Sequence, residues 1–129
     1  MATIILEAVK GRITADIKGE AVSFKSGGAE SSTGYWPTEY IIASLGSCLA
    51  GTAFEYARKK KYPLEKVTAR ISWETASSPA RIRQIAMVVT IEGDVTHEEK
   101  ERILIASERA CLVMNTLRLG VEEIETTLS

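Results

Sequence analysis

The chain has 129 residues, 45% of them apolar and 26% charged, with a formal net charge of −1. That suits one globular domain over residues 1–129 with a real core. It offers no basic field for nucleic acid or an anionic membrane, so neither is expected as a partner.

The N-terminus, Met1 followed by Ala2-Thr3-Ile4-Ile5-Leu6-Glu7, lacks the basic start and long apolar run of a signal peptide, and a cytoplasmic protein is expected. Residues 3–8 read as a short apolar strand, and Lys10-Gly11 turns it toward residues 12–16. There Ile13, Ala15 and Ile17 alternate with polar neighbours, as on a half-buried strand. Lys18-Gly19-Glu20 marks another turn and residues 21–24 a third strand, which together make an antiparallel meander. Residues 26–34 are rich in Gly, Ser and Thr and read as a connection. Its Gly27-Gly28 pair lacks the Lys and Ser/Thr of a phosphate loop.

Residues 36–61 read as one long helix. Pro37 suits the first helical position, Glu39 puts a negative charge in the first turn, and Arg58 to Lys61 put positive charge in the last. Between them residues 40–53 carry no charge and no polar stripe, so burial nearly all round is expected. The run is shorter than the roughly twenty residues a bilayer span needs. Ala43, Ser44, Gly46, Ser47, Ala50, Gly51 and Ala53 are small enough for another backbone to come close, and Cys48 sits among them. A helix this apolar needs cover that a second copy of the chain can supply, with Gly46, Ala50 and Gly51 at the subunit contact.

After the stop at Tyr62-Pro63, Val67, Ala69, Ile71 and Trp73 alternate with polar residues as a strand with one wet face. Residues 75–79 are a polar turn. Residues 81–92 form a partner strand with Ile85, Met87, Val89 and Ile91 on one face. Gly93-Asp94 breaks it, and Thr96-x-x-Glu99 is a capping box that opens a helix running past Cys111 without interruption to Asn115 or Gly120. Residues 121–127 read as a last strand. The architecture is α+β, with antiparallel sheets around a long buried central helix.

Two distant cysteines in a reducing compartment point to transient chemistry rather than a permanent staple, and two buried inert thiols are the open alternative. A thiolate needs neighbours that favour its charge. Cys48 lies well inside its helix, away from the positive end, so a cation from elsewhere is expected. His97 and two distant cysteines make no ligand set at usable spacing, so no metal or other cofactor is expected. Ser44, Ser47 and Thr52 lack a nearby histidine base and read as packing residues. Arg81 and Arg83 read as exposed partners for carboxylates.

Gly27-Gly28, Pro37-x-Glu39, the run from Ala43 through Ser44-Leu45-Gly46-Ser47-Cys48-Leu49-Ala50 to Gly51, and Cys111 after a charged helix resemble the OsmC/Ohr family of osmotically inducible and organic-hydroperoxide-resistance proteins. The likeness covers essentially the whole chain and is most specific around Cys48. It implies an OsmC-like fold in an intertwined homodimer, and a thiol peroxidase that reduces organic hydroperoxides with an external dithiol as reductant. In that reading Cys48 attacks and Cys111 resolves. The family's arginine from an N-terminal strand matches Arg12, whose other reading is an ordinary surface charge. The family's orienting glutamate follows the proline directly, and here that position is Thr38. Glu39 comes one residue later, about 100° around the helix, and otherwise simply suits the helix dipole. Because Glu39 lies about 13 Å from Cys48 along an ideal helix, a carboxylate serving Cys48 through Arg12 would come from another subunit. The proline that follows the second cysteine in the peroxidases is Leu112 here, as in a subgroup of OsmC-like proteins. The competing reading is a non-catalytic dimer that binds a small apolar ligand at the subunit interface.

Overall fold

The structure, a computed structural model, describes residues 1–25 and 33–129. The Gly27-Gly28 pair and most of the 26–34 connection lie outside the described residues. Two compact units, residues 1–43 and 44–129, are taken in turn.

In the first unit β1 (Ile5–Val9), β2 (Arg12–Ile17) and β3 (Glu20–Phe24) form an antiparallel sheet in chain order. Ala15 faces Leu6 on one side and Val22 on the other, and it is the buried point of the sheet. Past the undescribed residues Tyr35 bridges Phe24. The ring of Tyr40 packs 4.8 Å from that of Phe24 and 6.0 Å from that of Tyr35, and its hydroxyl donates to the Ser23 carbonyl at 2.8 Å. Gly34 has φ +79°, and a Cβ there would run into the Ser23 carbonyl, so glycine alone lets the chain pass this close. The helix α1 (Pro37–Lys60) starts in this unit. Its Glu39 Oε1 accepts the Trp36 N–H at 2.9 Å, which satisfies one of the donors a helix start leaves open.

In the second unit α1 buries one stripe, Leu45, Leu49, Ala53 and Ala57, at helical spacing. The opposite face, with Ser44, Ser47, Gly51 and Phe54, is exposed in the single chain, so the burial all round expected of the helix is met on one side only. Gly46 has a use within the chain itself. A Cβ there would lie 2.8 Å from the Ile71 side chain, so its smallness serves the helix–sheet contact inside the chain.

The sheet in that contact is the long hairpin of β4 (Leu64–Ser77) and β5 (Ala80–Gly93). Its pairs Val67↔Ile91, Ala69↔Val89, Ile71↔Met87 and Trp73↔Ile85 put the anticipated apolar faces side by side. Both strands run further than expected, with register shifts at Leu64/Lys66 and Glu74/Thr75. The helix α2 (His97–Ala110) opens on the anticipated capping box, with Thr96 N–H to Glu99 at 2.8 Å and Glu99 N–H to Thr96 at 3.1 Å. Its Ile103 is fully buried with Ala53, Ala57 and Ile91, and side chains of that size contribute about 1.5–3 kcal/mol each when fully buried.

The helical region does not run on through Cys111. It breaks there, at φ −71° and ψ 110°, and restarts as α3 (Leu112–Leu119). The break needs no proline because both new ends find partners. The Cys111 sulfur accepts the Met114 N–H at 3.5 Å, and the Asn115 side-chain amide donates to the Arg109 carbonyl at 3.0 Å. Gly120 ends α3, at φ 78°, with its N–H on the Thr116 carbonyl at 2.8 Å. The expected last strand over residues 121–127 does not form. Among the described residues no ladder reaches it, and Val121 and Ile124 are exposed. No helix among the described residues is long and apolar enough to cross a membrane.

Candidate functional site

The break at Cys111 is also what builds the site. Leu45 and Leu49 bracket Cys48 on α1 and pack with Cys111 and Met114 in one cluster, so the two cysteines meet although they are far apart in sequence. Cys48 is half-buried and Cys111 is fully buried, and both are free thiols.

The surroundings of the two thiols differ in sign. The Cys48 thiol is held below the ordinary thiol range, first because the Val113 N–H donates to it. Burial works the other way. The Cys111 thiol and the Leu112 N–H add to the lowering. Cys111 is pushed up, chiefly by burial and in part by the neighbouring Cys48, while the Met114 N–H opposes the rise. Of the two thiols, Cys48 is therefore the one that ionises first.

The helper that sequence reasoning sought in a distant cation is thus provided in part by backbone. Leu112 and Val113 are the first residues of α3, where N–H groups have no intrahelical acceptor and the helix end is positive. Sequence alone missed it because cysteine is not among the usual N-cap residues. The available signal was Asn115, a short amide able to serve the end of a preceding helix. Thr52, read as a packing residue, donates its hydroxyl to the Cys48 carbonyl at 2.7 Å, one turn further along α1.

Of the other candidates, Arg12 opens β2 opposite Val9 with its side chain exposed. Glu39 is engaged by the Trp36 N–H at the start of α1. Both belong to the unit of residues 1–43. His97 pairs with Glu101 at 2.9 Å on the surface, and among the described residues no group of His, Cys, Asp and Glu could hold a metal.

Beside the cysteines lies a cavity of about 470 Å³ between α1, β5, α2 and α3. Leu45, Leu49 and Met114 belong both to its wall and to the cluster that holds the two thiols.

A family model described as OsmC-like protein matches residues 28–125. An OsmC-like protein from Mycoplasma pneumoniae superposes with a TM-score of 0.77 at 20% identity, covering 92% of this chain and 86% of that one. The organic hydroperoxide resistance protein OhrB of Bacillus subtilis gives 0.67 at 17% identity, covering 93% and 92%. An organic hydroperoxide resistance protein OsmC from Legionella pneumophila gives 0.71 at 16% identity, covering 90% and 88%. At these identities the likeness is one of fold. No curated protein shows significant sequence similarity to the chain.

Proposed function

The chain belongs to the OsmC-like protein family, and on that premise we propose that it is a thiol peroxidase that reduces organic hydroperoxides with Cys48 and Cys111. The observation that carries this reading is that Cys48 and Cys111 pack in one cluster as free thiols, with the first amides of α3 lowering the Cys48 thiol and burial raising Cys111.

In the proposed cycle the Cys48 thiolate attacks the outer oxygen of the hydroperoxide. The O–O bond breaks, the alkoxide leaves and takes a proton to become the alcohol, and Cys48 becomes a sulfenic acid. With the thiolate gone, Cys111 loses the neighbouring charge that opposed its own ionisation. It attacks the Cys48 sulfur, an S–S bond forms, and the hydroxyl leaves as water with the proton that Cys111 gives up. An external dithiol restores both thiols by exchange through a mixed disulfide. A reducing cytoplasm supplies such a dithiol.

Arg12 is the proposed cation for the attacking thiolate and Glu39 its orienter, supplied by the second subunit of a homodimer. The exposed face of α1 at Ser44, Ser47, Gly51 and Phe54 supports such an assembly. Stoichiometric oxidation tests the reading. One equivalent of an organic hydroperoxide should remove both thiols and leave an intrachain disulfide that dithiols reverse. Cys48→Ser should abolish the reaction, and Cys111→Ser should stop at the sulfenic acid and over-oxidise with excess peroxide. Retention of both thiols in the wild type after prolonged exposure would overturn it.

A further inference from the structure

In an uninterrupted helix each backbone N–H donates to the carbonyl four residues back, so the Val113 N–H would belong to the Arg109 carbonyl and the Met114 N–H to that of Ala110. The break at Cys111 redirects both. The Met114 N–H goes to the Cys111 sulfur at 3.5 Å, and the Val113 N–H goes to the Cys48 sulfur. The Arg109 carbonyl is not left open. It accepts the side-chain amide of Asn115 at 3.0 Å, from within α3. The backbone N–H of the same Asn115 donates to the Cys111 carbonyl at 3.0 Å and so starts the α3 ladder. One residue thus closes α2 with its side chain and opens α3 with its backbone.

We propose that Asn115 is a positioning residue for Cys48: its amide takes the acceptor that Val113 would otherwise use, and the freed Val113 N–H is thereby aimed at the Cys48 sulfur. The placement supports this exchange. Val113 packs in the same cluster as Cys48, Cys111 and Met114, whereas Arg109 is exposed at the end of α2. Asparagine suits the task because its short side chain ends in two N–H donors, where serine or threonine offers one rotating hydroxyl and an ionised aspartate only acceptors. The residues that the other elements bring to the cluster are apolar, Leu45 and Leu49 on α1 and Ile85, Met87 and Val89 on β5, so Cys111 is its one other titratable member. An N–H fixed on the sulfur stabilises the thiolate more than the thiol, and a chain without the Asn115 amide gives up that preference. The role concerns how Cys48 ionises. Its consequence for turnover rests on the peroxidase reading above.

The test uses the reduced full-length chain. In the wild type the Val113 amide proton, followed by NMR across pH, should shift with the same midpoint as the alkylation of Cys48 by iodoacetamide, and Cys48→Ser should abolish that shift. Asn115→Ala and the polar Asn115→Ser, each checked for native circular dichroism, should raise the Cys48 alkylation midpoint by about one pH unit, the scale of one hydrogen bond to a charged group. Below the midpoint that is about a tenfold loss of alkylation rate. Asn115→Gln keeps the amide and should recover part of the shift. Thr116→Val takes a neighbouring α3 hydroxyl off the Leu112 carbonyl without touching Arg109, and should leave the midpoint in place. An unchanged midpoint in a natively folded Asn115→Ala or Asn115→Ser, an equal shift in Thr116→Val, or a wild-type Val113 amide that ignores Cys48 ionisation would overturn the proposal. A raised alkylation midpoint in a protein whose thiols no hydroperoxide oxidises would uphold the positioning role and sink the peroxidase reading alone.

Discussion

The backbone N–H of Met114 donates to the Cys111 sulfur at 3.5 Å, so the thiol assigned to resolution is also the N-cap of α3, the helix whose first amides face Cys48. One buried residue therefore joins helix geometry to thiol chemistry, and several outcomes follow from that double duty.

Removing the sulfur should cost stability as well as resolution. Cys111→Ala takes away the cap, worth about 1 kcal/mol, and leaves a small void in a fully buried site, so a total loss of about 1–3 kcal/mol is expected. Cys111→Ser keeps an acceptor for the Met114 N–H and should lose less while still lacking the resolving thiol. Urea unfolding of the two variants checks this, and an equal loss would show that the cap contributes nothing.

The two thiols should separate on a pH scale. An acid whose pKa is lowered gives up its proton at lower pH, so alkylation of Cys48 should rise and level off below the range of an ordinary thiol. Cys111, raised by burial, should react only at higher pH. Site-resolved mass spectrometry after brief alkylation across pH reads both profiles. Faster labelling of Cys111 at neutral pH would contradict the assigned directions.

Leu112→Pro should be tolerated. Leu112 is the first residue of α3 and 72% exposed, and a proline suits a first helical position, so a stability change within about 0.5 kcal/mol is expected. The variant does lose the Leu112 N–H, one of the groups that lower the Cys48 thiol, so the Cys48 alkylation midpoint should move up slightly. A strong destabilisation would mean that the turn at Cys111 depends on leucine.

Thr38→Glu tests the proposed carboxylate. Glu39 is occupied at the helix start by the Trp36 N–H, and a carboxylate one position earlier leaves that cap in place. Peroxidase turnover should rise, or at least not fall, with the fold unchanged. A large drop in turnover by an intact protein would show that Thr38 already suits the site.

The uncovered face of α1 should be covered in solution. Sedimentation at micromolar concentration is expected to give a dimer, and Phe54→Glu, which puts a charge on that face, should weaken it. A monomeric wild type would remove the assembly on which the proposed roles of Arg12 and Glu39 depend.

Much of the local architecture was legible in residue order. Alternation at Val67 to Trp73 and Ile85 to Ile91, the Thr96–Glu99 box, Pro37 and the Arg58 to Lys60 run, and Gly120 at the end of α3 are short-range signals, each set by backbone geometry within a few residues. Cys48 and Cys111 could be named from sequence, but not the polarity of their surroundings. That depends on where a helix ends, and the break at Cys111 is stabilised by a sulfur and an asparagine outside the usual capping rules. The strand expected over residues 121–127, and the side of α1 that a single chain leaves exposed, have a related reason. Hydropathy states what needs cover, while only the tertiary arrangement decides which surfaces and strand edges a single chain can supply to cover it.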